Sequence, residues 1–111
     1  MNIDVAQRGR VTVLTLQGAL MKDTLDVLDA KFSDCVDGGV SLMVLDMERV
    51  PFIDSEGLER ILDIVNQIGK RGGDIRVAAL NAVCQDVFLV TLMEKFVQVC
   101  GDKETAVREL L

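Results

Sequence analysis

An apolar run that ends in Asp54-Ser55 and passes at once into an amphipathic helix restricts the fold of this chain more than any other feature. Ser41 to Met47 is almost continuously apolar through Leu42, Met43, Val44 and Leu45, as expected of a central strand buried on both faces. Glu48-Arg49 makes a polar break, and Val50-Pro51-Phe52-Ile53 leads into Asp54-Ser55. Leu58, Ile61, Leu62, Val65 and Ile68 then recur at the spacing of one helix face. Lys70-Arg71-Gly72-Gly73 closes that helix, with cations in its last turn and glycine beyond. A two-sided strand joined by a short turn to a one-sided helix is half of a βαβ unit, and such units build parallel sheets.

The flanking sequence extends the pattern. Ile3 to Gln7 reads as a strand, Arg8-Gly9-Arg10 as a turn, and Val11 to Leu16 as a half-buried strand in which apolar residues alternate with threonine. A helix capped by Asp23 or Thr24 follows, with Leu25, Leu28, Phe32 and Cys35 on one face and Asp37-Gly38-Gly39 as its stop. Asp74 to Leu80 contains a short strand with Ile75, Val77 and Ala79 on one face. Asn81 caps a helix that runs to about Met93, Phe96 to Val99 reads as a last strand, and Asp102 or Lys103 starts a C-terminal helix. The order β-β-α-β-α-β-α-β-α predicts one α/β domain over residues 1–111, with a mixed, mostly parallel sheet of about four or five strands and about four helices. The Asp54-Ser55 turn then lies at the C-terminal end of the central strand, the edge where sites gather in open α/β sheets.

Charge and composition exclude several functions. The formal net charge is −6, with no clustered Lys/Arg stripe, which disfavours nucleic acid and anionic membrane surfaces and suits a basic partner protein. No apolar run approaches the length of a membrane span, and Met1-Asn2-Ile3-Asp4 has no signal-peptide character. Histidine is absent, and with it the usual general base and the commonest zinc ligand. Cys35, Cys84 and Cys100 form no CxxC pair and sit among apolar residues, as small core residues of a reducing cytosol do. No GxSxG, GxGxxG or GxxxxGK[ST] motif is present, so neither a hydrolase elbow nor a phosphate-cradling loop is supported. Among the methionines, Met43, Met47 and Met93 read as core, whereas Met21 falls in the loop before the first helix and near the Ser55 edge.

The candidate site is the turn itself. Plain capping accounts for Asp54 or Ser55 at the N-cap with Glu56 or Glu59 in the first turn. The same geometry gives Ser55 a second role. A helix N-terminus favours negative charge, so a phosphate on Ser55 is tolerated locally while changing the charge shown to a partner. A partner that buries this end would have to desolvate the phosphate, and losing about 3 kcal/mol is more than a hundredfold in affinity.

At this point the chain resembles the STAS domain family, and within it the stand-alone anti-sigma factor antagonists of bacteria. The resemblance is carried by Leu14-Thr15-Leu16-Gln17-Gly18, by Leu45-Asp46 through Val50-Pro51-Phe52-Ile53-Asp54-Ser55, by Gly57-Leu58 and by Arg71-Gly72-Gly73-Asp74-Ile75. It implies a cytoplasmic, non-enzymatic regulator without a cofactor. Such a protein binds an anti-sigma factor, typically a serine kinase of the histidine-kinase-like ATPase fold, and so frees a sigma factor for transcription. The kinase phosphorylates the serine matching Ser55 and releases the antagonist, and a metal-dependent serine phosphatase restores it. The resemblance makes Asp54 the acidic neighbour of that serine, and the expected partner face comprises Leu20, Met21, Asp54, Ser55, Glu56, Gly57 and Leu58. Two departures stand out. Gly18-Ala19-Leu20-Met21 replaces the family's common Gly-Glu-Leu-Asp, and Glu56 stands where many relatives carry a second small hydroxyl residue. These departures favour an alternative, a STAS module that binds constitutively as a scaffold subunit of a signalling or envelope assembly. A small-molecule or nucleotide-binding domain is a third reading from a different class.

Overall fold

Strand, turn and helix signals of the sequence map onto a three-layer arrangement in a computed structural model that describes all residues from Met1 to Leu111. The strands are β1 (Asn2–Arg8), β2 (Val11–Gln17), β3 (Leu42–Arg49), β4 (Asp74–Ala78) and β5 (Gln98–Cys100). The helices are α1 (Leu25–Asp37), α2 (Ser55–Lys70), α3 (Ala82–Val90) and α4 (Lys103–Leu110), with single 3₁₀ turns at Lys22–Thr24 and Met93–Lys95. Strand order in the sheet is β1-β2-β3-β4-β5. β1 and β2 pair antiparallel through the Gly9 turn, and the remaining neighbours pair parallel. The expected mixed sheet with an antiparallel edge is therefore present, and β3 is its central strand.

The two faces of the sheet carry unequal cores. Met43, Leu45 and Met47 of β3 join Leu28, Phe32, Ile61, Ile64, Ile68 and Phe88 in a cluster of 23 buried residues beneath α1, α2 and α3. On the opposite face, Val11, Val13, Val44 and Ala78 meet Ala106, Val107 and Leu110 of α4 in a cluster of 8. α4 corrects the expectation for β2. Alternation with threonine predicted a half-buried strand, but β2 is buried on both faces: α4 covers Val11 and Val13, while Leu14 and Leu16 enter the larger core and Thr12, on their face, is buried as well. Thr12 meets this burial by donating its hydroxyl to Gln7 Oε1 at 2.8 Å.

Several boundaries shift for local reasons. The innermost line of α2 is Gly57, Ile61, Ile64 and Ile68. Leu58, Leu62 and Val65 flank it, half-buried, so the buried face is rotated toward Ile64 relative to the expected stripe. β3 continues through Glu48 and Arg49, past the expected polar break. β4 ends at Ala78 because Ala79 turns out of the strand at φ 62°. α3 stops at Val90 rather than Met93, with Leu92 at φ 59°, and the 3₁₀ turn that follows moves β5 to Gln98–Cys100 and leaves Phe96 exposed. At the start of α1, Thr24 occupies the N-cap position, but its side chain makes no cap hydrogen bond. It donates instead to the Ala19 carbonyl at 2.8 Å and accepts from the Met21 N–H at 3.1 Å, bracing the loop before the helix. Cys35, Cys84 and Cys100 are free and buried, and burial pushes all three thiols up from their ordinary range. Met43, Met47 and Met93 are core residues, as expected. No helix is long and apolar enough to cross a membrane.

Candidate functional site

β3 delivers the chain to the C-terminal edge of the sheet, and Pro51 ends its run there. The segment 50–54 then turns into α2, and Asp54 is the residue that caps it. Its backbone is extended, and its Oδ1 accepts the Gly57 N–H at 2.8 Å. Its Oδ2 accepts the Lys22 N–H at 3.1 Å, from the loop between β2 and α1. Asp54 thus joins two loops that are far apart in sequence. The Gly57 N–H does most to hold its carboxyl below the usual range; burial opposes this, and the N–H groups of Lys22 and Glu56 add to it.

The backbone ties the same loops again. Leu20 N–H donates to the Phe52 carbonyl and Asp54 N–H donates to the Leu20 carbonyl, both at 3.0 Å, which makes a parallel bridge between Leu20 and Ile53. Gly57 is required by this approach. A β-carbon there would overlap the Leu20 carbonyl oxygen and would lie 3.0 Å from Ile53 Cγ2.

Ser55, the first residue of α2, is exposed, and so is Glu56. The hydrogen bonds of the turn go to Asp54 rather than to Ser55, which leaves the serine hydroxyl facing solvent. Asp54, Met21 and Leu58 are half-buried. The remaining two residues expected on the partner face are placed otherwise. Leu20 is wholly buried in the larger core, and Gly57 is buried against the Leu20 backbone. Both shape the turn from beneath and present no side chain to a partner. Leu20 alone points inward because its backbone pairs with Ile53, whose side chain enters the same core.

A groove of about 540 Å³ opens between the starts of α1 and α2, with Glu56, the residue after Ser55, in its wall. Asp23, Asp26, Glu56, Glu59 and Asp63 line it, with Lys22 and Arg60 as its cations. Arg60 is paired with Asp29 across the two helices, whereas Lys22 belongs to none of the ion pairs. On the other side of the turn lies an apolar rim. Phe52 is 44% exposed and Val83 54% exposed. Asn81 holds them together, because its Nδ2 donates to the Val50 and Pro51 carbonyls, both at 3.2 Å, while its Oδ1 caps α3 by accepting the Cys84 N–H at 2.8 Å. Sequence reasoning found Asn81 only as a cap and did not single out Phe52, Val83 or the cation Lys22. The signal for Phe52 was Pro51, which takes the next residue out of strand alternation.

The fold has known counterparts. The STAS domain model matches residues 2–106. BtrV of Bordetella bronchiseptica, which carries the name of an anti-sigma factor antagonist, is 27% identical over 94 residues, covering 85% of this chain and 81% of that protein. The crystal structure of an anti-sigma factor antagonist from Mycobacterium paratuberculosis superposes with a TM-score of 0.89 at 20% identity, covering 98% of this chain and 92% of that one. The Bacillus cell fate determinant SpoIIAA in its phosphorylated form superposes with a TM-score of 0.76 at 20% identity, covering 99% and 100%. With a family model that spans nearly its whole length, this chain belongs to the STAS domain family.

Proposed function

We propose that this protein is an anti-sigma factor antagonist whose partner docks on the Ser55 turn and whose binding is switched by phosphorylation of Ser55. The observation that supports this reading best is the exposed Ser55 hydroxyl on a turn made rigid by Asp54. The switch residue is free to react, while the surface around it is fixed to the core through Leu20 and Gly57. The partner, an anti-sigma factor with kinase activity, binds the apolar rim of Phe52, Val83, Met21 and Leu58. It also presents basic groups to the groove of Asp23, Glu56 and Glu59. In the switching step, Ser55 Oγ attacks the terminal phosphorus of the partner's nucleoside triphosphate. The O–P bond to Ser55 forms, the bond to the leaving diphosphate breaks, and the serine proton passes to a base of the partner. The product carries about −1.5 to −2 charges on a strongly hydrated group, and a partner packed on the serine would have to desolvate it, so the contact is lost. A serine phosphatase reverses the step by hydrolysis. In this reading the chain catalyses no reaction of its own, holds no cofactor and works in the cytoplasm.

Ser55→Asp tests the reading. Partner recovered on the wild-type protein is expected to bind Ser55→Asp at least tenfold more weakly, with the melting temperature little changed because residue 55 is exposed. Equal binding would refute the switch. A second reading, a constitutive STAS module, is favoured by the acidic neighbours of any phosphate placed here, Asp54 and Glu56 on either side of Ser55 and the carboxylates of the adjoining groove. It predicts partner binding indifferent to residue 55 and sensitive to Met21→Glu.

A further inference from the structure

We infer that Lys22 is the counter-cation of phosphorylated Ser55, meeting the phosphate from the β2–α1 loop and setting how its charge is felt at the turn. The inference rests on Ser55 being the modified residue. Its support is the way the loop is held. Lys22 N–H donates to Asp54 Oδ2 at 3.1 Å, and Asp54 is the residue before Ser55, so one carboxylate bridges the lysine backbone to the residue beside the serine. The Lys22 side chain lines the groove that Glu56 and Glu59 also line. Of the two cations there, Arg60 is engaged with Asp29 across α1 and α2, and Lys22 is in no ion pair.

The charge balance favours such a group. A phosphate on Ser55 brings about −1.5 to −2 charges, whereas the N-terminus of α2 offers an effective half-charge of about +0.5. The immediate neighbours are Asp54, held ionised by the Gly57 N–H, and Glu56, with Glu59 one turn on and Asp23 and Asp26 across the groove. A lysine on a flexible four-carbon stem can swing to the phosphate without rebuilding the loop, because its backbone is already tethered.

The test uses the full chain with phosphoserine installed at position 55 during translation, so it does not depend on any kinase. The second ionisation of the phosphate is followed by ³¹P NMR in the wild-type background, in Lys22→Gln, in Lys22→Arg and in Lys70→Gln at the far end of α2. Lys22→Gln is expected to raise the ionisation midpoint by about half a unit, Lys22→Arg to keep it near wild type, and Lys70→Gln to leave it unchanged. A midpoint in Lys22→Gln equal to wild type would overturn the inference, as would an equal rise in Lys70→Gln, which would show a diffuse charge effect. Amide spectra confirm folding, and Lys22 is exposed, so none of the substitutions touches the core. The two failures are distinguishable. An unchanged midpoint removes Lys22 from the account, whereas absence of phosphate on Ser55 in the host removes the switch itself.

Discussion

α2 and α4 both begin at an aspartate whose carboxylate accepts the N–H three residues on: Asp54 from Gly57 at 2.8 Å, and Asp102 from Thr105 at 2.7 Å. Both aspartates are extended, both are followed by a glutamate in the first turn, and both carboxyls are held below the usual range by that N–H. The differences lie elsewhere. Asp102 serves its own helix, whereas Asp54 also accepts the Lys22 N–H from a distant loop. Position three carries a threonine in α4 and a glycine in α2, because at α2 the Leu20 carbonyl occupies the space of a β-carbon. One local signature thus produces a plain cap in one place and a junction of two loops in the other. An exposed serine follows the junction.

Each substitution that separates these roles tests the comparison. Ile64→Ala in the larger core is expected to cost about 3–4 kcal/mol, against about 2 kcal/mol for Val107→Ala under α4, measured by denaturant unfolding. Similar losses would mean that the two faces contribute equally. Gly57→Val is expected to cost about 2–3 kcal/mol and to loosen residues 20–24, seen as faster amide exchange at Leu20 and Asp54, because something must move to admit the side chain. Thr105→Val, at the corresponding place in α4, should be mild. Asp54→Ala should lower the melting temperature more than Asp102→Ala, since it removes a cap and a loop tether together. Equal shifts would show that the Lys22 bond contributes nothing.

The smallest effect is one of pH. A folded-state pKa below the unfolded value of about 3.9 stabilises the fold above that value, and the stabilisation is lost as pH falls through the folded value. Both aspartates should therefore be fully stabilising at neutral pH and weaken only below about pH 4. The amide resonances of Gly57 and Lys22 are expected to shift together with one midpoint, while Thr105 follows Asp102 independently. Separate midpoints for Gly57 and Lys22 would contradict a shared carboxylate.

The sequence made the element order, the central strand and the Asp54 turn legible, since these follow from periodicity and capping chemistry within a few residues. What it concealed depended on contacts between distant segments. Thr12 alternates with apolar neighbours as a solvent-facing residue does, but it shares the face of Leu14 and Leu16 toward the larger core, and the return of α4 buries Val11 and Val13 on the other face. Ala79 and Leu92 adopt positive φ without the glycine or asparagine that marks such turns, so both neighbouring strands and α3 shift by a few residues. Leu20 sits in a loop and read as partner-facing, but its backbone pairing with Ile53 turns it into the core. Gly57 read as part of the partner face, and its reason is a carbonyl more than thirty residues earlier in the chain.

The intact mass of the protein purified from its own host, wild type beside Ser55→Ala, across growth and stress conditions, tests the central claim most directly. A phosphate found on the wild type and absent from Ser55→Ala is the predicted result. A wild-type protein free of phosphate under every condition, or a phosphate that persists on Ser55→Ala, would contradict it.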